Sequence, residues 1–573
     1  MLSAVEQNLL DRAGVEKSWR LLEEITSFKR EHPRDVDRSV EIVAERLRGE
    51  GLPAEVATMD LYLSLPGEGR VEANGRSFRA KPSAMSVPAP EGLSGELLYV
   101  PGTKDMIASL LDPSQEVGGL REKIAGRIVL LEGIAGPGVV SSFAPLGAIA
   151  VIAINPGQDI HSAICTPIWG NPDLRSIDKK PTIPVVAVNK PDGEALRALG
   201  DGATVTLFSA LEEDWFPSKY VTVEIPGTAE PDKWVMLHGH IDSWDVGVGD
   251  NGTGVVTMFE VARMIWEQRA DLKRSVRVIW WPGHSTGRYA GSTWYADNFA
   301  TDIFENCVAQ IDCDSPGCRW ATAYLEVFCM PEATGFLADA IRDATGKNSE
   351  MMRPFRAADW SFNNIGVTGL LALSSTMPPE LVAEKGYYRV GGNGGNIEWH
   401  TERDRLEVAD RDILLIDTKL YALATFRVAT AEILPFDFRP AVAEYRATLD
   451  KYQASAGERF DLKPAIEAAE ELEQAVDDFY AAVESGQVPP ELANETIVAL
   501  ERALVPAHFA SEGRYQQDPA LDTPPLTAVA LASRLDRLDP SKLPFAATQL
   551  VRGRNQIVAA FREATRETRR ALQ

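Results

Sequence analysis

Apolar residues recur at helical spacing through SWRLLEEITSFKREHPRDVDRSVEIVAERLRGEG and predict two amphipathic helices between Val15 and Leu52, the second stopped by Gly49 and Gly51. A strand-like run, EVATMDLYLSLP, follows. From about Leu93 to Leu207 short apolar runs (GELLYVPG, GRIVLLEG, GAIAVIAIN, IPVVAVN) are separated by Gly and Pro, a β-rich module interleaved with a few helical stretches. Strand signals resume at YVTVEIPG and then alternate with helical ones: KWVMLHGHID, VVTMFEVARMIWEQ, SVRVIWWPG, STWYADNFA, CVAQIDCD. That rhythm predicts an α/β sheet covered by helices, in which ligands bind at the carboxyl ends of strands. Beyond Pro435 the chain turns to Ala, Glu and Leu at helical spacing, as in LKPAIEAAEELEQAVDDFYAAVESG and NQIVAAFREATRETRRAL, and a helical C-terminal domain is expected.

Length and charge narrow the picture. At 573 residues the chain exceeds what one core supports, so several folded units are expected. With 58 Lys and Arg against 83 Asp and Glu, the formal charge of -25 opposes binding to nucleic acid and to anionic membranes. The opening MLSAVEQNLLDRAGVEKSW has no basic start followed by an apolar stretch, and no run is long enough to span a bilayer. Five cysteines without CxxC spacing favour reduced thiols, and the expected location is cytoplasmic.

The candidate chemistry gathers around histidine. Of seven histidines, His238, His240, His284 and His400 lie in Gly-rich or polar segments at strand ends. In HGHIDSWDVGVGDNGTG, His240 and Asp250 are separated by a glycine-rich loop that can fold back and bring both to one ion, with Asp242 placed to orient the imidazole of His240. IDCDSPG offers Asp312 and Asp314, of which one is expected to face the site, and IEWHTERD offers His400. Two His and two Asp suit zinc or another first-row metal better than calcium. Trp280, Trp281, Trp294 and Trp399 stand near these segments as pocket lining or as packing. In GYYRVGGNGGN, Arg389 has the chemistry to grip a substrate carboxylate, or to stand solvated on a surface loop.

The segment HGHIDSWDVGVGDNGTG resembles the first metal motif of the co-catalytic zinc aminopeptidases and of glutamate carboxypeptidase II. The resemblance implies a zinc-exopeptidase-like mixed sheet formed by residues 1–92 and 216–435. It also implies a β-rich protease-associated insert over 93–215 and a helical, dimerisation-like domain over 436–573, hence a homodimer. LANETIVALERALVPAHF is similar to the Asn-to-Glu-Arg pattern of that tail, and RAADWSFNNIGVTGLLAL to the family's Asp-containing segment, with Asp359 in that place. In this family the matching residues hold two metals, which implies His240, a bridging Asp250 and Asp314 on one, and His400 on the other. The departure is WWPGHSTGRYAGSTW: where the family carries adjacent glutamates, a general base and a metal ligand, this chain has His284 and Ser285, or Ser285 and Thr286.

Ligand counting then leaves one metal with His240, Asp250 and Asp314, and a second with only Asp250 and His400. The expectation is one zinc or similar ion per chain. His284 is the candidate base, or alternatively a ligand, and Asp242 supports His240. Ser285 lacks a Gly-x-Ser-x-Gly elbow and is grouped with Arg389 as substrate-binding. The function expected is hydrolysis of a peptide or small amide bond by a metal-activated water. The alternatives are a catalytically inactive, peptidase-like binding protein and a hydrolase of a non-peptide amide.

Overall fold

The computed structural model describes residues 2–102 and 120–573. Its thirteen described strands are β1 (Ala54–Ala73), β2 (Arg76–Pro82), β3 (Ala89–Val100), β4 (Arg127–Glu132), β5 (Ala150–Ile154), β6 (Val185–Val188), β7 (Thr204–Ile225), β8 (Glu230–His240), β9 (Arg274–Trp281), β10 (Cys307–Asp312), β11 (Tyr324–Phe328), β12 (Ser349–Met352) and β13 (Gly369–Leu370). All but β11 and β12 join one large sheet.

The long strands β1 and β7 pair antiparallel from Ala54 opposite Val223 to Glu72 opposite Thr206, with an irregularity between Pro66 and Gly69. Their two ends serve different bodies. At one end β7 continues through β9, β8, β10 and β13; the last four are mutually parallel, and β7 runs antiparallel to β9. At the other end β1 pairs with β2, β2 with β6, β6 with β5, β5 with β4, β4 with β3 and β3 with β7, which closes a ring of seven strands. The unbroken apolar runs of β4 to β6 follow from burial on both faces: Ile128, Leu130, Ile152 and Val186 lie in one cluster, Val129, Leu131, Val151 and Val185 in another.

The parallel strands are likewise sandwiched. Helix Thr253–Glu267 is buried along almost its whole length and packs on the sheet with helices Glu16–Ile25 and Arg411–Thr430. On the opposite face Trp234, Ile279 and Trp281 pack with Tyr295 of helix Ala290–Asn298 and with Phe362. Trp280 and Trp281 are therefore core residues, and Trp294 packs beside Tyr220 and Phe299. The C-terminal helices Arg439–Ala456, Lys463–Glu484, Pro490–Phe509 and Leu543–Arg570 pack together. Arg502 of the third reaches back to the carbonyls of Phe304 and Cys307 at the start of β10 and of Gly366 ahead of β13. All five cysteines are buried and unpaired. Among the described residues no helix is long and apolar enough to cross a membrane.

Candidate metal centre

Three parallel strands deliver the polar residues to one edge. β8 ends at His240, β9 at Trp281 just before GHSTG, and β10 at Asp312. Asp314 lies beyond the regular strand, bridged to Leu373. The glycine loop folds back from β8 and brings Asp250 to His240, and Asn251 fastens that loop to the β10 end by donating to the Cys313 carbonyl (2.8 Å) and accepting from the Ser315 N–H (3.0 Å). Gly254 is required beside it, because a Cβ there would lie 2.0 Å from Asn251 Oδ1. Asp404, fully buried, accepts the N–H groups of Gly249 and Asp250 and fixes the loop from the other side.

Asp250 sits between two imidazoles. Its Oδ1 is 3.2 Å from His240 Nε2 and its Oδ2 is 3.0 Å from His400 Nε2. Asp314 Oδ2 is 3.8 Å from His240 Nε2. His240 Nδ1 donates to the carbonyl of Asp242 (2.9 Å), so Nε2 is the nitrogen turned toward the two carboxylates. That Nε2 is buried and makes no hydrogen bond, although two carboxylate oxygens surround it. A tetrahedral ion with bonds of ~2.0–2.2 Å spaces its ligands about 3.3–3.6 Å apart, a range that the His240 separations from Asp250 and Asp314, 3.2 and 3.8 Å, bracket.

Burial and neighbouring charge act against each other at both residues. Burial opposes a proton on His240, yet bonding to Asp250 and Asp314 holds its pKa well above the ordinary histidine value. Burial opposes ionisation of Asp250, and the two imidazoles hold its pKa well below the ordinary carboxylate value. The N/O donor set of the cluster suits zinc or a similar first-row ion.

His284 completes the group. One of its ring nitrogens, one of His240 and a carboxylate oxygen of Asp314 all lie within 4.8 Å of one another. Its ring stacks on that of His240, with centroids 3.7 Å apart and planes 12° apart. Its Nδ1 lies 2.9 Å from Asp359 Oδ2, and Asp359 Oδ1 also accepts the hydroxyl of Ser292. Burial alone would raise the Asp359 pKa, but the charge and hydrogen bond of His284 bring it below the ordinary range.

The predicted residues His240, Asp242, Asp250, His284, Ser285, Asp314 and His400 all converge here. Asp242 acts in two ways: its carbonyl orients His240, while its carboxylate accepts the backbone N–H groups of His284 (3.2 Å) and Ser285 (2.9 Å) and so pins the GHSTG turn. Asp312 and His238 stay behind the centre as a buried pair, Nδ1 to Oδ1 3.5 Å. Arg389 is not brought to the centre; its side chain is 72% exposed and pairs with Glu326.

Several contributors were not legible beforehand. His400 donates from Nδ1 to the carbonyl of Ser162 (3.0 Å), and Ser162 N–H donates back to the carbonyl of His400 (2.8 Å), so a loop between β5 and β6 of the ring orients it. Trp399, which the sequence offered as pocket lining or packing, stacks on His400 at 3.6 Å and lines the cavity. A cavity of about 280 Å³ opens over the centre, reached by Asp250, His284, Ser285, Arg288, Asp314 and His400, with Ile134, Ile164, Trp244, Phe328 and Phe355 among its apolar walls. The one sequence signal for Arg288 was its place in the GHSTGRY segment.

Residues 220–421 match the family model described as Peptidase family M28. A probable glutamate carboxypeptidase of Zea mays is 24% identical over 267 residues, 42% of this chain and 35% of that protein. Carboxypeptidase Q of Bos taurus is 23% identical over 277 residues, 46% of this chain and 56% of that protein. The chain thus spans between about a third and somewhat over half of these relatives' lengths. Among solved structures, an aminopeptidase from Aneurinibacillus sp. strain AM-1 shares the fold with a TM-score of 0.54 at 19% identity, covering 74% of this chain and 96% of that one.

Proposed function

We propose that this chain, whose residues 220–421 match the family model described as Peptidase family M28, is a metal-dependent hydrolase of peptide or amide bonds with a reduced, single-ion centre. The observation that carries the reading is the free Nε2 of His240 facing Asp250 and Asp314, beside a His284–Asp359 pair at the same cavity.

His240, Asp250 and Asp314 would hold the ion, with His400 a further donor on the other oxygen of Asp250. A zinc or similar ion in that place supplies Lewis acidity and lowers the pKa of a bound water. His284 holds its Nδ1 proton against Asp359, which leaves Nε2 to accept a proton from the attacking water and return it to the leaving amine. Asp359 balances the imidazolium formed in between. The apolar walls exclude bulk water and favour an uncharged side chain. Asp242 keeps the base in register through the backbone of the GHSTG turn.

The second reading, a binding protein without catalysis, is favoured by one observation: Ser285 and Thr286 bring no carboxylate to Asp250 and His400, so a second ion lacks ligands. The deciding measurement is metal content per chain, by elemental analysis of protein purified without chelators, beside turnover of peptides and small amides. One ion, lost in Asp250→Ala and kept in His284→Ala, with hydrolysis lost in both variants, is expected. Two ions refute the reduced centre, and no ion under any metal supplement refutes the hydrolase.

A further inference from the structure

The cavity over the metal centre is lined by an arginine that pairs with no carboxylate among the described residues. Arg288 lines it together with Asp250, His284 and Asp314. Its Nε is buried and has no hydrogen-bond partner, and it forms no ion pair among the described residues. Burying an N–H of a charged group without an acceptor costs free energy that something must offset.

The backbone shows that this placement is built in. Arg288 and Tyr289 are consecutive non-glycine residues with φ of 50° and 71°, a conformation that disfavours side chains and persists only where surroundings enforce it. The Gly170 N–H donates to the Arg288 carbonyl (2.7 Å) and the Tyr289 N–H to the His284 carbonyl (3.2 Å). Tyr289 is clamped between rings, 4.1 Å from Trp169 and 4.7 Å edge-on to His284, and the Arg288 guanidinium lies 5.0 Å from its ring centroid. The turn that lacks the glutamate pair therefore sends a positive group into the pocket next to the base.

We propose that Arg288 is the substrate anchor, taking a free carboxylate of the substrate on the accessible N–H groups at the end of its guanidinium. Planar guanidinium and planar carboxylate match in that geometry, and low local polarity strengthens the pair. A cavity of about 280 Å³ lies near the lower end of the usual ~300–1,000 Å³ for small-ligand sites, so the substrate class is a short acyl-amino acid or peptide acid with an apolar side chain. This rests on the hydrolase reading for its chemistry, but binding tests it separately.

The test uses the full chain freed of metal by chelation, so that nothing is turned over, and calorimetry with N-acetyl-phenylalanine and its carboxamide. The acid is expected to bind roughly ten- to a hundredfold more tightly than the amide, the range of a charge-assisted hydrogen-bonded pair. Arg288→Met should abolish the preference and Arg288→Lys should retain part of it. Equal affinity for acid and amide, binding of neither, or a preference that survives Arg288→Met overturns the assignment. Should circular dichroism show Arg288→Met unfolded, the wild-type ratio and Arg288→Lys decide. Absence of peptide cleavage by the metal-loaded chain alongside a clear acid preference would refute the hydrolase and leave the anchor standing.

Discussion

Replacing Asp359 by Asn separates the two roles open to His284. Asp359 is fully buried and accepts two hydrogen bonds, from His284 Nδ1 at 2.9 Å and from Ser292 Oγ at 2.7 Å. Asparagine has nearly the same shape and can keep its carbonyl toward His284 while its amide faces Ser292, whose hydroxyl can accept. What disappears is the negative charge opposite an imidazolium. A buried charge-assisted hydrogen bond is worth ~1.5–3 kcal/mol, and full burial places this one near the upper end. If His284 is the base, the imidazolium exists only once the proton has moved, so the loss falls on kcat, by about a hundredfold, with KM little changed. Metal content should be unaltered, because Asp359 touches none of His240, Asp250 or Asp314. Stopped or steady-state hydrolysis of a peptide substrate, with elemental analysis on the same preparation, reads both quantities. Loss of the ion in Asp359→Asn would make His284 a ligand instead, and activity within threefold of wild type would remove it from the chemistry altogether.

Other consequences reach further into the fold. Burial pushes the Glu332 carboxyl up to about 7; the unfolded chain ionises first, so the wild type loses stability as pH rises from the ordinary carboxylate range through 7. Glu332→Gln should therefore gain on the wild type between pH 5 and 8.5 by roughly 3 kcal/mol in urea unfolding, and a pH-independent difference would contradict this. Asn155, buried, accepts from His161 N–H (2.8 Å) and donates to the Gly133 carbonyl (3.1 Å), steadying the loop whose Ser162 carbonyl holds His400. Asn155→Ala should weaken metal affinity about tenfold, and an unchanged dissociation constant by chelator competition would show that the loop between β5 and β6 is not coupled to the centre. At Gly291 a Cβ would lie 2.1 Å from the Pro282 carbonyl oxygen, so Gly291→Ala should destabilise by about 3 kcal/mol; an unfolding midpoint within error of wild type would refute the close packing.

Much of this protein was legible from residue order alone, for identifiable physical reasons. Helical spacing marked Glu16–Ile25 and Pro33–Gly49, and unbroken apolar runs marked the strands buried on both faces, because burial on a face imposes a period on the chain. The candidate ligands could be singled out as well, since His240 and Asp250 stand in one short loop whose glycines announce a turn, and strand ends in an α/β sheet converge. The same reading marked GHSTG as the segment where the resembled family's glutamates are expected and this chain has none, a matter of residue type.

Only the tertiary structure decided how those groups are held and what they face. His284 meets Asp359 across 75 positions, and His400 meets a backbone carbonyl, Ser162, across 238; a carbonyl belongs to every residue and leaves no mark in the sequence. Arg389 and Arg288 are chemically alike, yet one is spent on Glu326 at the surface while the other enters the cavity, a choice made by backbone angles and ring packing. Composition and spacing determine which donors a chain owns; the distances at which they oppose one another, and whether a charge is left unpaired among them, arise only when separate strands and loops are brought to the same edge.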